Sequence, residues 1–172
     1  MVNQTQVIVP PEIVGWWQDL ADDRDVRGTL TILPFTDKTA FGEVIGNYKA
    51  VTYAAQDDRI TPLIFLRSNG AHEIRHLEHN QRPWLVDWYV RESIVNSLLK
   101  AEGLLKPTLD FLDRHHDELP EEVDAYTFEK EVAGFDARPF AAAVRKAMKG
   151  EGDWPNPQKY VVRTTRPIRR QG

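Results

Sequence analysis

A chain of 172 residues with 41% hydrophobic and 28% charged side chains has the balance of one globular domain with an ordinary core. Its net charge of −4 opposes a polyanion over most of the surface, so nucleic-acid contact requires a local basic patch. The absence of cysteine excludes disulfides, thiolate metal ligands and a cysteine nucleophile, and no apolar run approaches the roughly 18 residues of a membrane span. The opening MVNQTQVIVPPE lacks the basic and apolar regions of a secretory signal, which gives an expectation of cytoplasmic location without membrane contact.

Gln4 to Val9 is a β-prone stretch stopped by Pro10-Pro11. Pro11 suits the first turn of a helix carrying Ile13, Val14, Trp17 and Leu20 at helical spacing, with Trp17 turned inward. Gly28 to Phe35 alternates with β-branched residues and reads as a strand ending at Pro34. Asp37 is expected to cap a helix over Lys38 to Asn47, although Gly42 and Gly46 weaken it by about 1 kcal/mol each. Those two glycines make no phosphate-binding fingerprint. Tyr48 to Ala55 forms a second strand, Gln56 to Arg59 a polar turn, and the continuous apolar run Leu63 to Leu66 fits a central strand covered on both faces.

The stretch from Thr61 to His79, TPLIFLRSNGAHEIRHLEH, admits two readings with different chemical consequences. In one, Asn69-Gly70 supplies a type I′ turn and Leu63 to Ser68 pairs with Ala71 to Leu77 as a hairpin. In the other, a helix begins near Ala71 and His72-Glu73-Ile74-Arg75-His76 becomes an H-E-x-x-H metal-binding motif. Four residues of helix rise about 6 Å, which lets two imidazoles converge on one ion, whereas four residues of strand span about 13 Å. The Asn-Gly pair, the charges of Arg75 and Glu78, and the lack of an apolar run before His72 favour the hairpin. If the stretch is helical, His72, His76 and His79 are candidate zinc ligands, Glu73 a general base, and His116 or Glu92 a completing ligand of a zinc-dependent hydrolase.

After Pro83 the spacing of Trp84, Leu85, Trp88, Val95, Leu98 and Leu99 predicts a long helix to about Glu102, with Trp88 and Leu98 among its buried positions. Pro107 opens a helix through Leu119 with Leu109 and Leu112 inward, Pro120 opens another to about Val132, and Asp136 caps a last one to Lys149 that Gly150 closes. Between Asp117 and Glu131 seven acidic residues stand against Lys130 alone, read as a solvated helix surface, with Glu121-Glu122 as helix-start charges. No serine lies in a nucleophile setting.

The expected architecture is therefore α+β: a small, mainly antiparallel sheet in the N-terminal half packed against a helical C-terminal half, as one domain over residues 1–150. Residues 151–172 form an extended basic C-terminal arm. Tyr160, Arg163, Arg166, Arg169 and Arg170 on that arm are its candidate partner-binding residues, for a protein partner, self-association or nucleic acid. The functional expectation is a non-enzymatic interaction or assembly subunit without a cofactor. A zinc hydrolase built on His72, Glu73 and His76, and a nucleic-acid-binding accessory protein, are the alternatives.

Overall fold

The computed structural model describes the chain apart from residues 1, 5, 6, 83–94, 96, 97, 167 and 169–172. Its sheet has strands β1 (Val2–Gln4), β2 (Thr29–Pro34), β3 (Gly42–Val44) and β4 (Lys49–Ala54) in the order β1-β2-β4-β3. Helix α1 (Pro11–Asp23) lies between β1 and β2 in sequence, so the chain returns in the same direction and the two strands pair in parallel. β2 and β4 are also parallel, and only the β3–β4 pair at the edge is antiparallel. The α+β class holds, while the sheet is mixed where a mainly antiparallel one was expected. The expected helix over Lys38 to Asn47 is also replaced, by turns and strand β3. Gly42 there would weaken a helix, and as an edge residue it lets main chain approach the next layer closely.

The hairpin at Asn69-Gly70 does not exist: residues 63–81 form one helix, α2 (Leu63–Gln81). Leu63 to Leu66, expected to be a central strand, is its first turn, following an extended Pro62 whose carbonyl accepts from Leu66 N. Both residues of the apparent turn are used inside the helix. Gly70 lies against Trp17 of α1, where an added Cβ would overlap the indole ring, and Trp17 Nε1 donates to Arg67 O at 3.0 Å. Asn69 is buried and donates to Phe41 O and, at 2.7 Å, to Thr52 Oγ1. Tertiary packing thus overrides a strong local turn signal.

Helix α2 is the centre of the molecule, with the sheet and α1 packed against it and α4 (Pro120–Ala133) along another face. Trp17, Leu20, Ile32, Leu66, Ile74 and Phe128 belong to the core formed there, with Trp17 inward as expected. A second cluster joins Phe41, Phe65, Phe135, Phe140 and Val144, the last two from α5 (Ala137–Met148). Helix α3 (Leu105–Arg114) comes before α4 and is separated from it by a 3₁₀ turn, His116–Glu118. The long helix expected from Pro83 lies mostly outside the described residues, Trp88 among them. Its end is helical over residues 98–101, with Gly103 at φ 71, and Leu98 is 62% exposed where burial was expected.

The arm is fastened to its own domain at residues 160–162, 165, 166 and 168. Tyr160 packs on Phe135 and Phe140, Val161 forms a bridge with Phe135, and Val162 N donates to Gly134 O at 2.9 Å. Thr165 N donates to Glu131 O at 3.0 Å, and Ile168 packs against the main core.

Gly70 gives a test of the α1–α2 contact. A glycine inside a helix normally gains up to about 1 kcal/mol on replacement by alanine. Here overlap with Trp17 reverses the sign, at an overpacking cost of about 1–3 kcal/mol. Gly70→Ala is therefore expected to lower the urea midpoint, and an unchanged or higher midpoint would refute the packing.

Candidate metal centre

Because α2 is helical at residues 72–76, His72 and His76 stand one turn apart on the face turned to α4. Their Nε2 atoms are 3.0 Å apart. Glu122, in the first turn of α4, reaches the same point: Oε2 is 3.1 Å from His72 Nε2 and Oε1 is 3.2 Å from His76 Nε2. Two nitrogen or oxygen ligands held at about 2.1 Å by a tetrahedral zinc ion are about 3.4 Å apart. The trio therefore could fill three of the four positions of a tetrahedral shell, at distances slightly shorter than its edges. Among the described residues it is the group whose ligand atoms come together in this way.

The electrostatics follow from burial and crowding. His72 is 7% exposed and its Nδ1 lies 3.4 Å from Glu129 Oε2, so one ring faces carboxylates on both sides. Burial disfavours its charge, but the bonds to Glu122 and Glu129 outweigh that and raise its pKa well above the ordinary value. Burial lowers that of His76, against the pull of Glu122. Burial also opposes the charge on Glu122, yet the two imidazoles hold it well below the usual carboxylate range. Glu73 and Glu129 lack such compensation: burial pushes Glu73 up to about 8 and Glu129 up to about 7, with His72 opposing in both cases. Among the described residues, Oε2 of Glu73 has no hydrogen-bond partner, which marks a polar atom waiting for a water or ligand.

Glu73 and His72 open on a cleft of about 320 Å³ between β3, α4 and α5. Gly42 forms one wall, so close to Glu73 that a side chain there would overlap the carboxylate. Tyr126, its ring 4.7 Å from His72, forms the opposite wall. Burial raises the phenol well above its ordinary pKa, so it stays a proton donor. His116 stands in the cleft, 58% exposed, with Nε2 3.4 Å from Glu122 Oε1.

A second buried network lies one turn along α2. His79 turns away from the trio, and its Nε2 is 2.8 Å from Asp124 Oδ2. Arg75 joins the same Asp124 oxygen at 2.7 Å to Glu78 at 2.5 Å, and Arg24 of α1 closes on Glu78 at 2.6 Å. Hydrogen bonds from His79 and Arg75 outweigh burial and hold Asp124 well below the usual range.

The sequence-predicted residues thus separate. His72 and His76 meet, Glu73 lies beside them, and His79 serves the second network in place of the trio. Glu92 lies outside the described residues. On the arm, Tyr160 is packed on phenylalanines and Arg166 Nε pairs with Glu131 Oε2 at 2.8 Å; Arg163 is exposed, and Arg169 and Arg170 lie outside the described residues. Glu122, Glu129 and Asp124 were missed as site residues, and the first two are buried where a solvated surface was expected. A signal existed. Glu122 and Glu129 fall in register with Ala125, Phe128 and Val132, so the two carboxylates occupy the apolar stripe of α4.

No family model, curated protein or solved structure matches the chain.

The second network gives its own test. Glu78 is 2% exposed and holds two guanidiniums, so removing its charge leaves Arg24 and Arg75 partly buried without it. Glu78→Gln is expected to cost about 3 kcal/mol in denaturant unfolding, the lower end for a broken buried pair because Arg24 is one-third exposed. A loss below about 1 kcal/mol would show the network to behave as a surface ion pair.

Proposed function

We propose that the chain is a metal-dependent hydrolase that holds a divalent ion of the zinc type on His72, His76 and Glu122. The convergence of the His72 and His76 Nε2 atoms, 3.0 Å apart, on the Glu122 carboxylate, one oxygen of which is 3.1 Å from the first and the other 3.2 Å from the second, carries this reading. Two neutral imidazoles and one carboxylate suit zinc, and three protein ligands leave a coordination position for water or substrate. Glu129, 3.4 Å from His72 Nδ1, is the outer carboxylate that fixes that imidazole's orientation.

An ion held there would supply Lewis acidity toward a water and a substrate carbonyl. Glu73 takes the water proton, a role for which its unpartnered Oε2 beside His72 is placed. The water oxygen bonds to the carbonyl carbon, the bond to the leaving group breaks, and Glu73 passes the proton to that group. Tyr126 donates from the facing wall.

An extended peptide is the substrate shape that the cleft favours. β3 is the edge of the sheet, and among the described residues no strand pairs with its outer side. Tyr53 N donates to Phe41 O at 2.8 Å and Ile45 N to Lys49 O at 2.7 Å, so the alternate residues Gly42 and Val44 turn their main-chain groups outward. A peptide added there as a strand lies beside Glu73. The assembly and nucleic-acid expectations drew on the arm, of which Val162, Thr165 and Arg166 are engaged on their own domain and Arg163 is exposed.

Purified protein loaded with zinc and freed of excess metal should retain about one ion per chain. His72→Ala, His76→Ala and Glu122→Ala should each lose it while remaining folded by circular dichroism. Glu73→Gln should keep the ion and lose peptide hydrolysis by about 10²–10⁴-fold, the scale of a general base. Metal retained by all three ligand variants, or full activity in Glu73→Gln, would overturn the reading.

A further inference from the structure

The cleft holds charges that hydrolysis alone does not use. Arg138 and Arg145, both on α5, line it seven residues apart, which is two helical turns and about 10 Å along one face. Ala141 and Ala142 lie between them on the cleft lining, and their small side chains leave a groove floor. The Arg138 guanidinium sits 5.7 Å from the centre of the Tyr126 ring, and Tyr126 in turn covers His72. The Arg145 guanidinium sits 4.7 Å from the centre of the Phe41 ring, beside Gly42 on β3. Each arginine is therefore one side chain removed from the catalytic groups, on either side of the point where a peptide carbonyl would meet them.

Two carboxylates of the cleft have partners. Glu122 holds His72 and His76, and Asp117 accepts from Tyr126 at 3.4 Å and lies 3.8 Å from His116. The arginines differ. Among the described residues neither forms an ion pair, and Arg145 has a single long hydrogen bond, 3.5 Å to Thr39 O. A planar guanidinium laid on an aromatic ring keeps its edge donors free and aimed, a geometry suited to a carboxylate. Elsewhere among the described residues, Arg24, Arg59, Arg75, Arg82 and Arg166 have acidic partners while Arg27, Arg67, Arg114 and Arg163 do not; Arg138 and Arg145 are the ones that line the cleft.

Resting on the hydrolase reading, we propose that the substrate is an acidic peptide whose aspartate or glutamate side chains are bound by Arg138 and Arg145 while its main chain pairs with the outer edge of β3. The arginines are specificity-determining: they select and register the peptide, and they take no part in proton transfer. A basic side chain at the same place meets two cations and is rejected by repulsion.

The test uses full-length, zinc-loaded protein and internally quenched peptides of one scaffold, in which a single residue on each side of the cleavable bond is set in turn to glutamate, alanine or lysine. Glutamate at one or more positions should raise kcat/KM about tenfold over lysine, the scale of one charge-assisted contact. Arg138→Gln and Arg145→Gln, with zinc content and melting temperature checked, should each bring that ratio toward one, and added salt should do the same to the wild type. Binding separates this inference from the reading beneath it. Anisotropy of the fluorescent glutamate peptide on zinc-loaded Glu73→Gln protein should show tighter binding than the lysine peptide, with the difference lost in the arginine variants. Equal cleavage and equal binding of the two peptides, in protein that holds zinc and cleaves, would overturn the acidic preference and leave the hydrolase standing. Failure to hold zinc or to cleave any peptide would bring down both.

Discussion

Helix α2 is buried along most of its length while carrying Ser68, Asn69, His72, Glu73, Glu78 and His79, all less than 9% exposed. A polar group taken out of water without a partner costs about 1–3 kcal/mol, so so many of them together would exceed the stability of a small domain. Each neighbour of α2 meets part of this demand. The sheet offers Phe41 O and Thr52 Oγ1 to Asn69, α1 offers Arg24 to Glu78, and α4 offers Glu122, Asp124 and Glu129 to the histidines and Arg75. These contacts specify how the layers sit on one another, where apolar packing alone tolerates sliding. Among the described residues, Glu73 Oε2 and Ser68 Oγ are left without a hydrogen-bond partner, and Glu73 lines the cleft.

That same burial explains which parts of the fold were legible in the sequence. Helices α1, α4 and α5 and strand β2 each bury one stripe or face, so their apolar periodicity announced them and their flanking prolines and glycines bounded them. α2 buries polar and apolar residues around its circumference and has no contrasting face for periodicity to detect. Its LIFL start then resembled a central strand, and Asn69-Gly70 resembled a turn. Of the site, the spacing of His72, Glu73 and His76 was visible from the sequence, but its worth depended on a helix that local signals opposed. Glu122 was not found because its chemistry is created by α4 crossing α2, a long-range contact of 50 residues. His79 meets Asp124 in place of the trio because the Asp124 carboxylate and the Arg75 guanidinium that converge there are invisible to spacing along one helix.

The aromatic cluster links the walls of the cleft to the arm. Phe35 stacks on Phe41 at 4.9 Å, Phe41 meets Phe65 edge-on at 4.8 Å, Phe65 meets Phe140 at 5.0 Å, and Phe140 meets Tyr160 at 5.4 Å. This series runs from the loop and edge strand, through α2, to α5 and the arm. Such pairs contribute about 0.5–1.5 kcal/mol each beyond their buried area. The β-prone residues after Pro157 therefore serve the domain: by covering Phe135 and Phe140 they fix α5, and with it the two arginines of the cleft.

The approach of β3 to Glu73 then depends on two residues that a turn reading would have placed in solvent or in another element. Asn69 ties the carbonyl of Phe41 to α2 from below, which sets the height of the edge strand over the helix. Gly42 follows immediately and has no side chain, so main chain can lie directly over the carboxylate. One turn of α2 thus carries the residue that anchors the strand, and the next carries the carboxylate that the strand overlies. A rigid helix makes that distance independent of loop motion. Peptide main chain added to β3 would inherit the same fixed height, so the distance from a bound carbonyl to Glu73 is set by the helix itself and not by the substrate.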